Sequence, residues 1–294
     1  MLFLIATALL SPAETASPPV PVPFERQDEK PAKKLEAWPK PDSPKDLKTN
    51  VQKLRKANTE EMGRQADEAL RATGAAAVPP LLKALGKEKN EEALERIESV
   101  LEGVTAIDQT RLLAKELDDK SQRVRIWVYR RLAVFPDTEL SKDAVARLDK
   151  LKKKGDKADP DELYAAALYT LSTGEIAGLD VVYGVAKDSW KRHRDEIRIA
   201  ARQVRGTMAT TALLARLNGG DRAEKVAALR LLASCGDRDA AVPVIVPLLD
   251  ENDNSIRVEA INALRGIVDG DPPLDKLPVF EAIEKARKWK ERLG

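Results

Sequence analysis

Apolar residues recur along this chain as helical stripes that begin about thirty residues apart. Within residues 123–132 the apolar anchors are Val124, Val128 and Leu132, and this spacing of four places them on one side of an α-helix. Stripes of the same kind begin at Met62, Leu94, Val124, Leu163, Ile197, Val226 and Ile256. A period of this length is the signature of a repeat architecture, so it constrains the fold more than any other feature of the sequence.

A second helical stretch precedes each stripe, and polar breaks separate the two. The breaks at residues 86–90 and 250–253 carry Gly, Asp and Asn, which end one helix and cap the next. Pro247 lies inside an apolar stretch and is expected to bend its helix. Since no stretch alternates apolar and polar residues with a period of two, the sequence predicts an all-α fold without strands.

The period, the paired helices, the proline in the first helix and the Val-Arg or Ile-Arg step in the second resemble the HEAT-repeat family. The pairs Asp119/Arg125 and Glu251/Arg257 are similar to the acidic and arginine positions that form a ladder between neighbouring HEAT repeats. The resemblance covers residues 44–294. It implies a right-handed α-solenoid of about seven HEAT-like helix pairs followed by a C-terminal capping helix.

In such an array one helix pair cannot bury its apolar face alone, so neighbouring pairs must cover each other. Residues 277–293 are rich in Glu, Lys and Arg, as expected of a terminal helix with one wet face. Leu171 lies on a stripe and is expected in the core. Close approach of the helices is expected at the small stripe residues Ala66, Ala167, Ala201 and Ala260.

The N-terminal segment differs from the rest of the chain. Residues 2–10 are an apolar run too short for a bilayer, which needs roughly 20 residues, and small residues follow it. Residues 1–16 therefore resemble a secretory signal peptide, although no Lys or Arg precedes the run; the alternative is a buried strand or helix. Residues 17–43 are rich in proline and are predicted to be a disordered linker. Together they predict an exported protein of the bacterial HEAT-repeat type, periplasmic or secreted, with no stable membrane span in the mature chain.

The composition removes much enzyme chemistry. One cysteine, Cys235, and one histidine, His193, exclude an intrachain disulfide and zinc sites built from paired Cys or paired His. The 50 Lys and Arg nearly balance the 48 Asp and Glu, and a net charge of +2 is too small to steer a polyanion. We therefore predict a non-enzymatic protein with no catalytic residues, no cofactor and no metal.

Two arginine-rich strips that contain tryptophan supply the candidate partner-binding residues. Such strips suit the recognition of phosphate or carboxylate groups together with stacking. The HEAT resemblance implies that second helices line a concave wall, so both strips are expected to face one trough. Their members are Arg123, Trp127, Arg130, Trp190, Arg194, Arg198, Arg202 and Arg205.

These features favour a scaffold outside the cytoplasm that holds an unidentified protein or peptide on its concave surface. The alternative is a nucleic-acid-binding protein, because HEAT-like DNA glycosylases use a basic trough with tryptophan. The balanced charge and the predicted export disfavour nucleic acid. A third interpretation gives the strips no binding role: the arginines are solvated or belong to the ladder, and Trp127 belongs to the core.

Overall fold

A computed structural model describes residues 34–293, and within them it contains helices and turns but no β-strand. The all-α prediction is confirmed for this part of the chain. No helix in it combines the length and the apolar character that crossing a membrane requires. The helices are α1 Pro44–Arg55, α2 Glu60–Thr73, α3 Val78–Leu85, α4 Glu91–Val104, α5 Thr110–Lys115, α6 Gln122–Val134, α7 Ser141–Lys152, α8 Pro160–Ser172, α9 Leu179–Asp188, α10 Trp190–Arg202, α11 Thr207–Gly219, α12 Arg222–Cys235, α13 Arg238–Ile245, α14 Asn254–Leu264 and α15 Val279–Leu293.

The helices pack mainly against their neighbours in sequence. Each odd-numbered helix from α1 to α13 contacts the even-numbered helix that follows it. Even-numbered helices also contact each other across successive pairs, as α6 with α8, α8 with α10, α10 with α12 and α12 with α14. This arrangement lets each pair cover the apolar face of the next.

The apolar stripes form the core. Val124, Val128 and Leu132 are buried, and so is Leu171, as the periodicity predicts. Alanines at the predicted close approaches are buried as well: Ala66, Ala167, Ala201 and Ala260. Two stripes begin with a residue that is less buried than expected, since Met62 and Leu163 are only half-buried.

Helix boundaries follow the local signals in the sequence. Asp221 and Glu224 form a capping box at the start of α12, in which each side chain accepts a hydrogen bond from the backbone of the other residue. The helical pattern around Pro247 changes at Val246, where α13 gives way to a 3₁₀ turn over Val246–Asp250. Because proline cannot donate the backbone hydrogen bond of a helix interior, this change is the predicted disturbance at Pro247.

Residues 34–43, the last part of the predicted linker, form no helix but are attached to the helical body. The backbone N–H of Leu35 donates to the carbonyl oxygen of Asp108 at 2.8 Å, and the Lys34 ammonium contacts the Asp137 carboxylate. Trp38 is half-buried against the core. Apolar burial therefore holds this stretch on the helices, contrary to a linker that extends to residue 43. The predicted signal segment, 1–16, and residues 17–33 lie outside the described residues.

Candidate binding groove

A groove of about 800 Å³ runs across α4, α6, α8 and α10, the second helices of four consecutive pairs. Trp127 of α6 and Leu168 of α8 lie at its floor, where both side chains are buried. Val134 of α6 and Ile199 of α10 also line it, and they are 58% and 56% exposed. Exposed apolar side chains gathered in one concavity are typical of an interaction site.

The groove carries more acid than base. Five carboxylates and three guanidinium groups line it: Glu98, Glu102, Asp159, Asp161 and Glu196 with Arg123, Arg130 and Arg131. Two of the arginines already donate to backbone carbonyls. Arg131 donates from Nη2 to Glu102 at 2.6 Å and to Thr105 at 2.8 Å, and Arg123 donates from Nη1 to Glu88 at 2.5 Å. Arg130 forms no ion pair with a carboxylate of the described chain.

Glu98 is a half-buried carboxylate without an ion pair among the described residues. Burial raises the pKa of its carboxyl group, and the positive charge of Arg130 only partly offsets this effect. No Lys or Arg of residues 34–293 comes within ion-pairing distance of the Glu98 or Glu102 carboxylate. The α4 wall of the groove therefore holds negative charge that nearby arginines offset only in part.

A residue with a buried hydroxyl also borders the groove. Ser172, at the end of α8, lines the cavity, and its side chain is buried. Its Oγ finds no hydrogen-bond partner among the described residues. A buried polar atom without a partner costs about 1–3 kcal/mol, and because this oxygen is closed to solvent, a ligand in the groove reaches it only after a local movement of the wall.

Glu196 is held at the opposite wall by a small cluster. Its Oε1 accepts a hydrogen bond from the Tyr164 hydroxyl at 2.9 Å and also contacts Nδ1 of His193. The Tyr164 and His193 rings meet edge to face with 4.8 Å between centroids. Burial and the Glu196 charge raise the pKa of the Tyr164 hydroxyl, so it remains a hydrogen-bond donor and links α8 to α10.

The structure brings only one of the two predicted strips into the groove. Arg123, Trp127 and Arg130 line it, whereas none of the arginines of the α10 strip does. On α10 the residues that reach the groove are Glu196 and Ile199, which lie on another side of the helix. This groove therefore takes in the α6 strip alone, and a trough shared by both strips stays a prediction.

Several members of the α10 strip have partners within the protein. Arg194 pairs with Asp275 at 2.6 Å, and the Arg205 guanidinium donates to the carbonyl oxygens of Gly266 and Ile267 at 3.3 and 3.2 Å. The Trp190 ring lies 5.2 Å below the Arg230 guanidinium, which occupies the face that stacking would need.

The other two arginines of that strip lie side by side on α10. Arg198 is only 3.9 Å from the Asp195 carboxylate, and Arg202 is exposed. Burial lowers the pKa of the Arg198 guanidinium, and the charge of Arg202 adds to that effect. These two side chains stay a candidate surface, but one separate from the groove.

In both predicted ladder pairs, the arginine donates to the backbone carbonyl of the acidic residue and not to its carboxylate. Arg125 Nη1 donates to the carbonyl oxygen of Asp119 at 2.8 Å, and Arg257 Nη2 donates to that of Glu251 at 2.6 Å. In both places a 3₁₀ turn ends the preceding helix and leaves carbonyl groups that the helix cannot satisfy. The guanidinium groups fill this need, while the Asp119 carboxylate accepts the N–H of Ser121.

The links between neighbouring helix pairs involve ion-pair partners that sequence reasoning missed. Arg125 on α6 pairs with Glu162 on α8 at 2.6 Å, and Arg230 on α12 pairs with Glu259 on α14 at 2.9 Å. No short-range motif identifies these partners, because each ion pair joins helices that belong to two different helix pairs.

The apolar groove residues were also missed. Val134 and Ile199 lie off the apolar stripes of their own helices, on faces that are otherwise mostly polar. An apolar residue outside the stripe was the available signal. Glu98 and Ser172 carried no comparable signal, since their importance depends on burial.

The chain matches no known protein-family model, and a search of curated proteins finds no match. Within residues 34–293, no group of three or more His, Cys, Asp or Glu side chains is placed to hold a metal ion. The groove is therefore the feature from which a function is best inferred.

Proposed function

We propose that residues 44–294 form a HEAT-like, right-handed α-solenoid of seven helix pairs, with α15 as its C-terminal cap. Support comes from the seven consecutive pairs between α1 and α14, from the contact between α2 and α4, and from the contacts among the even-numbered helices α6 to α14. At the end of the row, α15 packs on α14 and buries Ala282, Ala286 and Trp289. A row of this kind has a wall of second helices, to which the groove belongs.

We further propose that the protein is a non-enzymatic scaffold that holds a segment of another protein in the groove. The observation that carries this proposal is the exposed apolar pair Val134 and Ile199 in a groove that polar and charged side chains otherwise mostly line. A peptide suits both kinds of side chain, because its side chains cover apolar surface and its backbone carries hydrogen-bond donors and acceptors. Action outside the cytoplasm is proposed on the signal-like residues 1–16 alone.

The charges support a protein partner over nucleic acid. A polyanion gains affinity from unpaired cations, but here five carboxylates line the same groove as three guanidinium groups. In the α10 strip, Arg194 and Arg205 are engaged within the protein, and Trp190 is covered by Arg230. The described residues therefore offer no single surface on which bases could stack on tryptophan while arginines bind the phosphates.

Site-specific crosslinking tests the scaffold proposal. A photo-crosslinking residue, p-benzoylphenylalanine, replaces Ile199 in the groove or, as control, Met208 on α11, which is 71% exposed and does not line the groove. After irradiation in an extract of the expressing cells, we expect one or a few defined protein adducts from position 199 and none of them from position 208.

Two results would count against the proposal. Identical adducts from both positions would mean that the groove has no specific partner. The nucleic-acid alternative would be favoured if the protein shifted the mobility of duplex DNA at low salt, with an affinity that rises as salt is removed. The shift should then be lost in Arg130→Gln.

A further inference from the structure

We propose that the segment bound in the groove is basic and apolar: a Lys or Arg side chain pairs with Glu98 and Glu102, and an adjacent apolar side chain covers Val134 and Ile199. This inference rests on the proposed function of the groove and adds the chemistry of its partner.

The site for the cation is the α4 wall. Glu98 and Glu102 are four residues apart on α4, so their carboxylates lie on the same side of the helix. Both line the groove, and neither is paired with a Lys or Arg of the described chain. Glu98 is half-buried and Glu102 is exposed, so a cation beside Glu98 interacts with its carboxylate in a surrounding less polar than water.

Arg130 does not remove this preference. It attracts Glu98 from α6, yet the pKa of the Glu98 carboxyl stays raised, which means that the net effect of its surroundings still disfavours the charge. Since Arg123 and Arg131 donate to backbone carbonyls at the edges of the groove, Arg130 is the one groove arginine in the described chain whose donors have no protein acceptor. An acidic segment would therefore find one guanidinium group and face five carboxylates.

The apolar part of the segment is placed by α6 and α10. Val134 and Ile199 stand out into the groove on either side of α8, with Leu168 of α8 buried between them. An apolar side chain seated there would remove exposed apolar surface from water.

Defined peptide pools test this chemistry with the full chain. Four fluorescein-labelled pools of degenerate nonapeptides contain Lys with Leu and Val, Glu with Leu and Val, Ser with Leu and Val, or Lys with Ser. Fluorescence anisotropy is measured at low and at high salt. We expect the pool of Lys with Leu and Val to bind at least about tenfold more tightly than each of the other three, and to weaken as salt rises.

Two variants, each with its own control, locate the binding. Glu98→Gln with Glu102→Gln is expected to abolish the preference for Lys over Ser, whereas Glu91→Gln with Glu95→Gln, an equal charge change at two exposed positions of α4 outside this groove, is the matched control. Ile199→Glu is expected to weaken binding of every pool, with Met208→Glu as its control. Circular dichroism melting of each variant checks that it is folded.

The outcomes separate this inference from the function beneath it. Binding that Ile199→Glu removes, but that prefers the Glu pool or ignores charge, overturns the basic partner and leaves the groove as the binding site. Binding that survives Ile199→Glu counts against the groove itself. No binding by any pool overturns the inference, and crosslinking at position 199 then decides the scaffold function separately.

Discussion

Arg125 on α6 holds Glu162 on α8 through two hydrogen bonds, 2.6 Å from Nε to Oε1 and 2.9 Å from Nη2 to Oε2. The side chains are only 20% and 6% exposed. The same guanidinium donates from Nη1 to the carbonyl oxygen of Asp119, in the turn before its own helix. One side chain therefore joins the two halves of its own helix pair and attaches them to the next pair.

Removing this guanidinium is expected to destabilise the chain strongly. Arg125→Met leaves the Glu162 carboxylate buried without its partner, and breaking a buried pair in this way costs about 3 kcal/mol or more. The free energy of unfolding from urea denaturation measures the loss. Arg125→Met with Glu162→Gln should recover part of it, because no unpaired charge then remains. Arg64→Met, which breaks an exposed arrangement with Glu61 and Glu68, is the control and should leave the midpoint nearly unchanged. A similar midpoint for Arg125→Met and the wild-type chain would contradict the coupling.

Glu98 should make stability fall as pH rises. Burial raises the pKa of its carboxyl in the folded chain above the ordinary value of 4.5, so the folded state holds this proton more tightly than the unfolded state does. The contribution is therefore fully favourable below pH 4.5 and is lost as pH rises through the folded-state pKa. We expect Glu98→Gln to be more stable than the wild-type chain at pH 8 and equally stable near pH 4, as urea midpoints at the two pH values would show. Glu95→Gln on the same helix is the control. A less stable Glu98→Gln at pH 8 would mean that Arg130 compensates the charge after all.

Two glycines near α8 and α9 should respond oppositely to alanine. A Cβ at Gly178 would lie 2.3 Å from the carbonyl oxygen of Ala167 in α8, and a helix backbone cannot yield as a side chain can. Gly178→Ala is therefore expected to cost about 1–3 kcal/mol through overpacking. Gly184, inside α9, has open space where an added methyl group would lie, with no atom within 4 Å, and Gly184→Ala should stabilise by about 0.5–1 kcal/mol through helix propensity. Thermal unfolding of both variants measures the effects, and equal shifts in one direction would refute the close approach at Gly178.

The loss of stability when a leucine of α8 is replaced by alanine should depend on how deeply that leucine is buried. Leu171 of α8 is fully buried, so Leu171→Ala is expected to cost about 2–5 kcal/mol through lost contacts and the cavity left behind. Leu163, on the same helix, is only half-buried, and Leu163→Ala should cost clearly less. Urea denaturation of the two variants side by side makes the comparison. A loss below about 1 kcal/mol for Leu171→Ala would be incompatible with its place in the core.

Local patterns predicted the helical part of the chain well. The spacing of Val124, Val128 and Leu132 identified a buried stripe because side chains four residues apart share a helix face whatever the helix packs against. Proline acts just as locally, so the disturbance at Pro247 followed from the sequence. The linker boundary was less accurate, since attachment of residues 34–43 depends on surfaces contributed by distant helices.

Helix periodicity thus specified which residues of each helix turn inward, because the side of a helix on which a residue lies is set by its spacing from neighbours a few positions away. How one helix is rotated against the next pair is a different matter, and it placed Ile199 in the groove while it directed Arg194 toward Asp275. Glu162 as the partner of Arg125, and Glu98 as a shielded carboxylate, emerged in the same way. Charge pairing and desolvation depend on distances in space between residues far apart in the chain, and those distances exist only once the helices have packed.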